Sequence, residues 1–380
     1  MMKNIAVAIL GLLIGIVAGL AFINYQTNTH KNSNELPKKQ IIGFLPYWLL
    51  EQAKNNYADS LTTLTYFGLN VDGDGHIIKQ ITPQQDDPGW YALNSGKLDP
   101  FLKNAKGNNI KLSLLISGGD AGAINTLVSN PAQHADTLIS EIKPLMKQYG
   151  FNDLNLDIEY RVTSSSVTET HFTQFVEEIK QQLIKQKLGT LTIEISPNDV
   201  IKNNLINTKA LASIIDTMIL MAYDYHSQGS YVTGPVAPLS GAGVDSESDV
   251  TTAVEKALQT IPSGKLILGM PLYGYEWETL NTAVRSAVIP GTGALASDNR
   301  MESFVPSCAT CSAFFDTEAQ EEFIVYKDSD TGTIHQIYFP NQNSIKAKVD
   351  FSNKEKLGGV ALWALGYEGD TMLHPLKNYK

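Results

Sequence analysis

Eight short apolar runs recur along the chain, at 41–48, 61–71, 110–117, 154–160, 191–196, 217–223, 266–272 and 359–365. The stretches between them are mostly long enough for a helix. Between the fourth and fifth runs, Phe172, Phe175, Val176, Ile179 and Leu183 fall on one helical face. Strands that alternate with helices pair in parallel, because a parallel neighbour is reached only through a crossover. Eight such units over this length predict a closed (β/α)8 TIM barrel. A doubly wound open sheet is the competing α/β architecture, but it usually carries a glycine-rich phosphate turn after its first strand. Here the first run passes into Leu49-Leu50-Glu51. The interval between the seventh and eighth runs is too long for one helix, so residues 278–342 are expected to form a β-rich insertion.

Residues 1–40 stand apart from this pattern. The stretch 5–23 is apolar throughout, between Lys3 and Asn24. As a helix it would span about 28 Å, near the thickness of a bilayer core. Three readings stay open for 1–24: an uncleaved transmembrane anchor, a signal peptide cut near Gly19-Leu20-Ala21, or a buried core helix, and the first two export the rest of the chain. Residues 25–40, rich in Asn, Thr and Lys, then form a polar linker, and 41–380 lie outside the cytoplasmic membrane. Lys and Arg number 29 against 39 Asp and Glu, a formal charge of −10 that argues against a nucleic-acid partner. The two cysteines, Cys308 and Cys311, cannot frame a fold of this size. Without further ligands at finger-like spacing they do not predict zinc, which leaves a local disulfide or two free thiols. The seven histidines show no metal-ligand spacing either.

The fourth run carries the chemistry. In Phe151-Asn152-Asp153-Leu154-Asn155-Leu156-Asp157-Ile158-Glu159-Tyr160, strand alternation puts Asn155, Asp157 and Glu159 on one face and Leu154, Leu156 and Ile158 on the other. Both faces of a barrel strand are covered, so such strands normally read as nearly continuous apolar runs. An amide and two acids on a covered face are costly unless they are paired or put to use. The acidic end is also the C-terminal end of the strand, where barrel active sites form. A solvent-facing antiparallel edge strand is the bland alternative.

Other motifs sit in order at the ends of the other runs. They are Ile42-Gly43-Phe44-Leu45-Pro46-Tyr47-Trp48, Leu115-Ile116-Ser117-Gly118-Gly119, Met221-Ala222-Tyr223-Asp224, Gly234-Pro235-Val236-Ala237-Pro238-Leu239, Gly269-Met270-Pro271-Leu272-Tyr273-Gly274 and Gly358-Gly359-Val360-Ala361-Leu362-Trp363-Ala364-Leu365-Gly366. Together with the fourth run they resemble the family 18 glycoside hydrolases, which include chitinases and peptidoglycan hydrolases. That family's fourth strand typically reads Asp-Gly-x-Asp-x-Asp-x-Glu. Asp157 and Glu159 match its last two acids, whereas Asn152 and Asn155 replace the outer two, Asp153 replaces the glycine, and Ile116 replaces a usual serine. An Asn at the position of Asn155 is similar to the spore-cortex-lytic and LysM-associated branch.

The resemblance implies a glycosidase that cleaves β-linked N-acetylglucosamine polymers with retention, the substrate's own acetamido group serving as nucleophile. Glu159 would protonate the glycosidic oxygen. Asp157, roughly 6–7 Å earlier along the strand, could turn to share a hydrogen bond with it and then stabilise the oxazolinium intermediate. Tyr223 and Asp224 would orient the acetamido group, and Trp363 would lie under the distorted sugar. Met221, Asn155 and Tyr273 complete the expected pocket. Tyr47, Trp48 and Trp90 could stack on sugars or simply pack. No cofactor or metal is expected, and a monomer is. A catalytically inactive sugar-binding protein on the same fold is the alternative; inactive relatives commonly lose the acid that stands here as Glu159.

Overall fold

The computed structural model describes residues 39–54, 56–202, 204–243 and 247–379. Eight parallel strands close into a barrel: β1 (Gln40–Pro46), β2 (Thr63–Asn70), β3 (Lys111–Gly118), β4 (Asp153–Ile158), β5 (Thr190–Ile195), β6 (Thr217–Leu220), β7 (Leu266–Pro271) and a last strand, Gly359–Trp363. Each of the eight coincides with one of the apolar runs of the sequence, none extending more than one residue beyond it. The last strand pairs with both β1 and β7, which completes the ring.

Alternation sorts each strand between two cores. On β4, Leu154, Leu156 and Ile158 face outward into the large core shared with the helices. Phe172, Phe175, Val176, Ile179 and Leu183 enter that core from the helix Ser166–Gln186, whose N-terminus is capped by Ser165 Oγ accepting from the Thr168 amide at 3.1 Å. A smaller core of Ile42, Phe44, Leu115, Ile219, Ile267 and Ala361 fills the barrel interior, joined by Phe67 and Trp363. The helix before β4, Pro131–Tyr149, stops at Gly150, whose φ of 78° suits glycine and turns the chain back into the barrel.

Five antiparallel strands lie between β7 and the last barrel strand: β8 (Tyr273–Thr279), β9 (Ala294–Ser297), β10 (Ser312–Asp316), β11 (Glu321–Lys327) and β12 (Ile334–Phe339). Their order is β9–β8–β12–β11–β10, so the closing barrel strand is β13. This sheet begins at Tyr273, earlier than the expected 278, because only Leu272 separates it from β7. Tyr273, Tyr275 and Trp277 pack with Val236, Phe323 and Tyr338 in a core of their own. Cys308 and Cys311 form a disulfide after the helix Asp298–Ser307. The apolar run 5–23 and nearly all of the linker lie outside the described residues. Among the described residues, no helix is long and apolar enough to cross a membrane.

Candidate active site

The C-terminal ends of parallel barrel strands open on one face, and the predicted residues converge there. β4 ends at Ile158, and Glu159 follows it directly, its backbone amide donating to the Gly118 carbonyl at 2.9 Å. Asp157 and Asn155 point inward and are buried. Further down the same face, Asp153 accepts from Ser113 Oγ at 2.7 Å, Lys111 Nζ at 3.2 Å, Thr192 Oγ1 at 3.1 Å and the Thr190 hydroxyl. The unusual acid at that position is therefore a satisfied part of the lower barrel interior and lies below the site.

Desolvation pushes the Asp157 carboxyl up to about 7, the charge of Glu159 adds to the rise, and Arg161 opposes it. Asp157 Oδ1 and Asn155 Oδ1 are both buried without a hydrogen-bond partner. The expected contact between Asp157 and Glu159 is absent: no hydrogen bond joins them among the described residues. Glu159 instead accepts from Arg161 Nε at 3.2 Å and Nη2 at 2.7 Å, at the exposed mouth of the barrel. A guanidinium two residues along the chain reaches the carboxylate with charge-assisted geometry, and a buried aspartate offers no such partner.

Tyr223 and Asp224 stand just past the end of β6, on a turn where Met221 is half-buried. The Tyr223 ring passes close over Gly269 of β7, where an added Cβ would lie 3.1 Å from Tyr223 Cε1 and 2.6 Å from the Leu220 carbonyl oxygen. A side chain at Gly269 would therefore displace the tyrosine. Burial, and then the carboxylates of Glu194, Asp157, Asp224 and Glu159, hold the Tyr223 hydroxyl well above its ordinary value, so it remains a proton donor. Asp224 has a φ of 60°, a region in which non-glycine residues are uncommon and tend to mark functional sites. Its Oδ1 accepts from Tyr273 Oη at 2.7 Å and Tyr275 Oη at 3.2 Å. The insertion thus reaches back and fixes a residue of the barrel.

Trp363, at the end of β13, is half-buried. Phe67, Phe44 and Trp48 meet its ring at centroid distances of 5.1, 5.7 and 6.2 Å, all edge-on. Tyr47 meets the exposed Trp48 at 4.9 Å. Trp90 sits on the helix Pro88–Asn94 with Lys79 Nζ 5.4 Å from its ring, and among the described residues its ring does not stack on this aromatic group.

Three neighbours of the site were not anticipated from the sequence: Arg161, Tyr275 and Glu194. Glu194 is the most consequential. It is only 3% exposed, inside the barrel on β5, and accepts from Asn155 Nδ2 across 2.8 Å. Burial and the charge of Asp157 hold it well above the carboxylate range. Its signal was present in Leu191-Thr192-Ile193-Glu194-Ile195, where an acid alternates inward on a covered strand as Asp157 does. Among the described residues, no cluster of His, Cys, Asp and Glu is arranged to hold a metal.

The barrel is shared with known proteins. The family model for glycosyl hydrolases family 18 matches residues 23–368. A class V chitinase of Arabidopsis thaliana is 28% identical over 302 residues, covering 74% of this chain and 76% of that protein. A cortical fragment-lytic enzyme of Bacillus subtilis is 27% identical over 233 residues, covering 60% of this chain and 50% of that protein. In fold, the chain is similar to the Ostrinia furnacalis group IV chitinase crystallised with allosamidin, with a TM-score of 0.75 at 19% identity over 90% of this chain and 97% of that one. With a closed barrel, an acid at the end of its fourth strand and a family match over most of its length, the chain belongs to the glycosyl hydrolases of family 18 and is a glycosidase that hydrolyses O-glycosyl bonds.

Proposed function

We propose that the protein cleaves β-linked N-acetylglucosamine polymers, chitin or peptidoglycan glycan strands, with retention of configuration and with the substrate's acetamido group as nucleophile. The observation that carries this reading is the placement of Glu159 just beyond β4 with the buried Asp157 beneath it and Tyr223 across the barrel mouth. Glu159 delivers a proton to the glycosidic oxygen. Asp157 turns toward the acetamido N–H, Tyr223 and Asp224 fix that group for attack, and Trp363 supports the sugar ring. A site built this way needs no cofactor.

Three of the four departures from the family pattern lie away from this chemistry, Asn155 being the exception, which favours a working enzyme over an inactive sugar-binding protein. Ile116 faces the helix-side core, Asn152 is exposed before β4, and Asp153 belongs to the lower interior. The Cys308–Cys311 disulfide suits an oxidising compartment, and with the apolar run 5–23 it supports an enzyme working outside the cytoplasmic membrane. Digestion of chitin oligomers and of peptidoglycan strands, with products identified by mass and by NMR of the fresh anomer, tests the proposal. The β-anomer appears first if the reading holds. Initial release of the α-anomer, or equal rates on glucose-only analogues, would sink the mechanism.

A further inference from the structure

Asn155 leaves β4 without the inner acid that the family usually carries there, yet the barrel interior is not short of one. Register places Asn155 beside Thr192 and Leu156 beside Ile193. One step further along the same register brings Asp157 beside Glu194, on neighbouring strands about 4.8 Å apart with both side chains turned inward. The groups facing Glu194 are Asp153, Asp157 and Glu159 from β4 and its end, the amide of Asn155, and Tyr223 from the end of β6. None of these is a cation; Arg161, which opposes the rise at Asp157, is bonded to Glu159 at the barrel mouth. Two adjacent carboxylates with no cation between them cannot both ionise cheaply, which favours one proton held in common. Among the described residues no hydrogen bond joins Asp157 to Glu194, and Asp157 Oδ1 and Asn155 Oδ1 are buried without partners, so an acceptor for a Glu194 proton is open beside it.

We propose that Glu194 is the second carboxylate of a proton-sharing pair with Asp157, supplied from β5 in place of the acid missing at Asn155, and that it is a positioning residue for hydrolysis. The Asn155 amide holds one Glu194 oxygen. When substrate enters, Asp157 turns toward Glu159 and takes the shared proton with it, leaving Glu194 as a carboxylate still held by Asn155. Glu159, released from Arg161 and protonated from solvent at the open barrel mouth, then gives that proton to the glycosidic oxygen and, ionised again, accepts a hydrogen bond from the Asp157 hydroxyl. The new negative charge on Glu159 balances the positive oxazolinium ring, and the attacking water later returns a proton to Glu159. This assignment rests on the glycosidase reading proposed above.

Glu194→Gln removes the acid while keeping an oxygen for Asn155. With an N-acetylglucosamine oligomer as substrate, kcat should fall at least about tenfold and KM should stay within about twofold. The basic limb of kcat/KM should move to lower pH, because a like charge beside the coupled acids has gone. The double variant Asn155→Asp/Glu194→Gln returns the acid to β4 and should restore the limb and most of kcat. A folded Glu194→Gln enzyme with the wild-type limb and kcat, or a double variant no better than the single, overturns the assignment. If Glu194→Gln does not fold, infrared titration of the wild type decides. A protonated-carboxyl band should persist at neutral pH and titrate at lower pH in Asp157→Asn; identical titration in both proteins overturns the shared proton. The infrared measurement needs no turnover, so a protein that hydrolyses no N-acetylglucosamine polymer would refute the functional proposal separately.

Discussion

Lys348 Nζ lies 3.7 Å from Glu321 Oε1, and neither side chain is more than 1% exposed. The same carboxylate accepts from the Val236 and Ala237 amides at 2.8 and 2.7 Å. Val236 in turn accepts from the Tyr225 amide at 3.0 Å, one residue beyond Asp224. A buried cation on the helix Gln342–Lys354 therefore braces the loop that follows Tyr223 and Asp224. Removing one partner of a buried ion pair strands the other charge, so Lys348→Met should destabilise the protein by about 3–5 kcal/mol. Denaturant melts check this, and adding Glu321→Gln should recover part of the loss. A Lys348→Met protein as stable as the wild type would show that the pair does not brace the fold.

Glu159→Gln should reduce hydrolysis by about 10²–10⁴-fold, the usual loss for a missing general acid. The side chain is 40% exposed, and among the described residues its ion pair is the surface contact with Arg161. Stability should therefore change by no more than about 0.5 kcal/mol. Turnover assays and thermal melts on the same preparation separate the two effects, and calorimetry should show that oligomer binding survives. Near-native turnover would remove Glu159 from its assigned place.

Asn155→Asp sets a third carboxylate against Glu194 at the 2.8 Å contact now made by an amide donor. Added like charge disfavours ionisation of its neighbours, so the basic limb of the pH–rate profile should move upward. The lost donor should also lower the melting temperature at neutral pH more than under acid conditions, where the added acid is protonated. An unchanged basic limb in a stable, active variant would mean that this position does not tune the acids.

Asp157 links stability to pH. Its carboxyl moves from 3.8 to about 7 in the fold, so the folded protein holds the proton more tightly than the unfolded chain does. The resulting stability is fully present below the unfolded value and is lost as pH rises from 3.8 to about 7. Asp157→Asn removes this dependence, and the stability of the variant relative to wild type should improve by about 2–4 kcal/mol between acid and neutral pH. Denaturant melts across that window test the sign; a constant difference would contradict it.

Local pattern alone determined much of this protein. Strand periodicity fixed which face of β4 carries Asn155 and Asp157, and helical periodicity placed Phe172 through Leu183 in the outer core, because both depend only on neighbours a few residues away. The ends of the runs likewise placed Glu159, Tyr223 and Trp363 at one mouth once a parallel barrel was inferred. Partners across strands could not be read in the same way. Glu194 meets Asn155 from 39 residues away, Tyr273 reaches Asp224 from 49, and Lys348 meets Glu321 across an insertion sheet whose register no local period encodes. Even Arg161, two residues from Glu159, could be placed only once the strand had ended before both of them, at Ile158, leaving the pair outside the strand's alternation. Periodicity sets the direction in which a side chain points; the closure of the barrel and the register of its strands decide what it meets there.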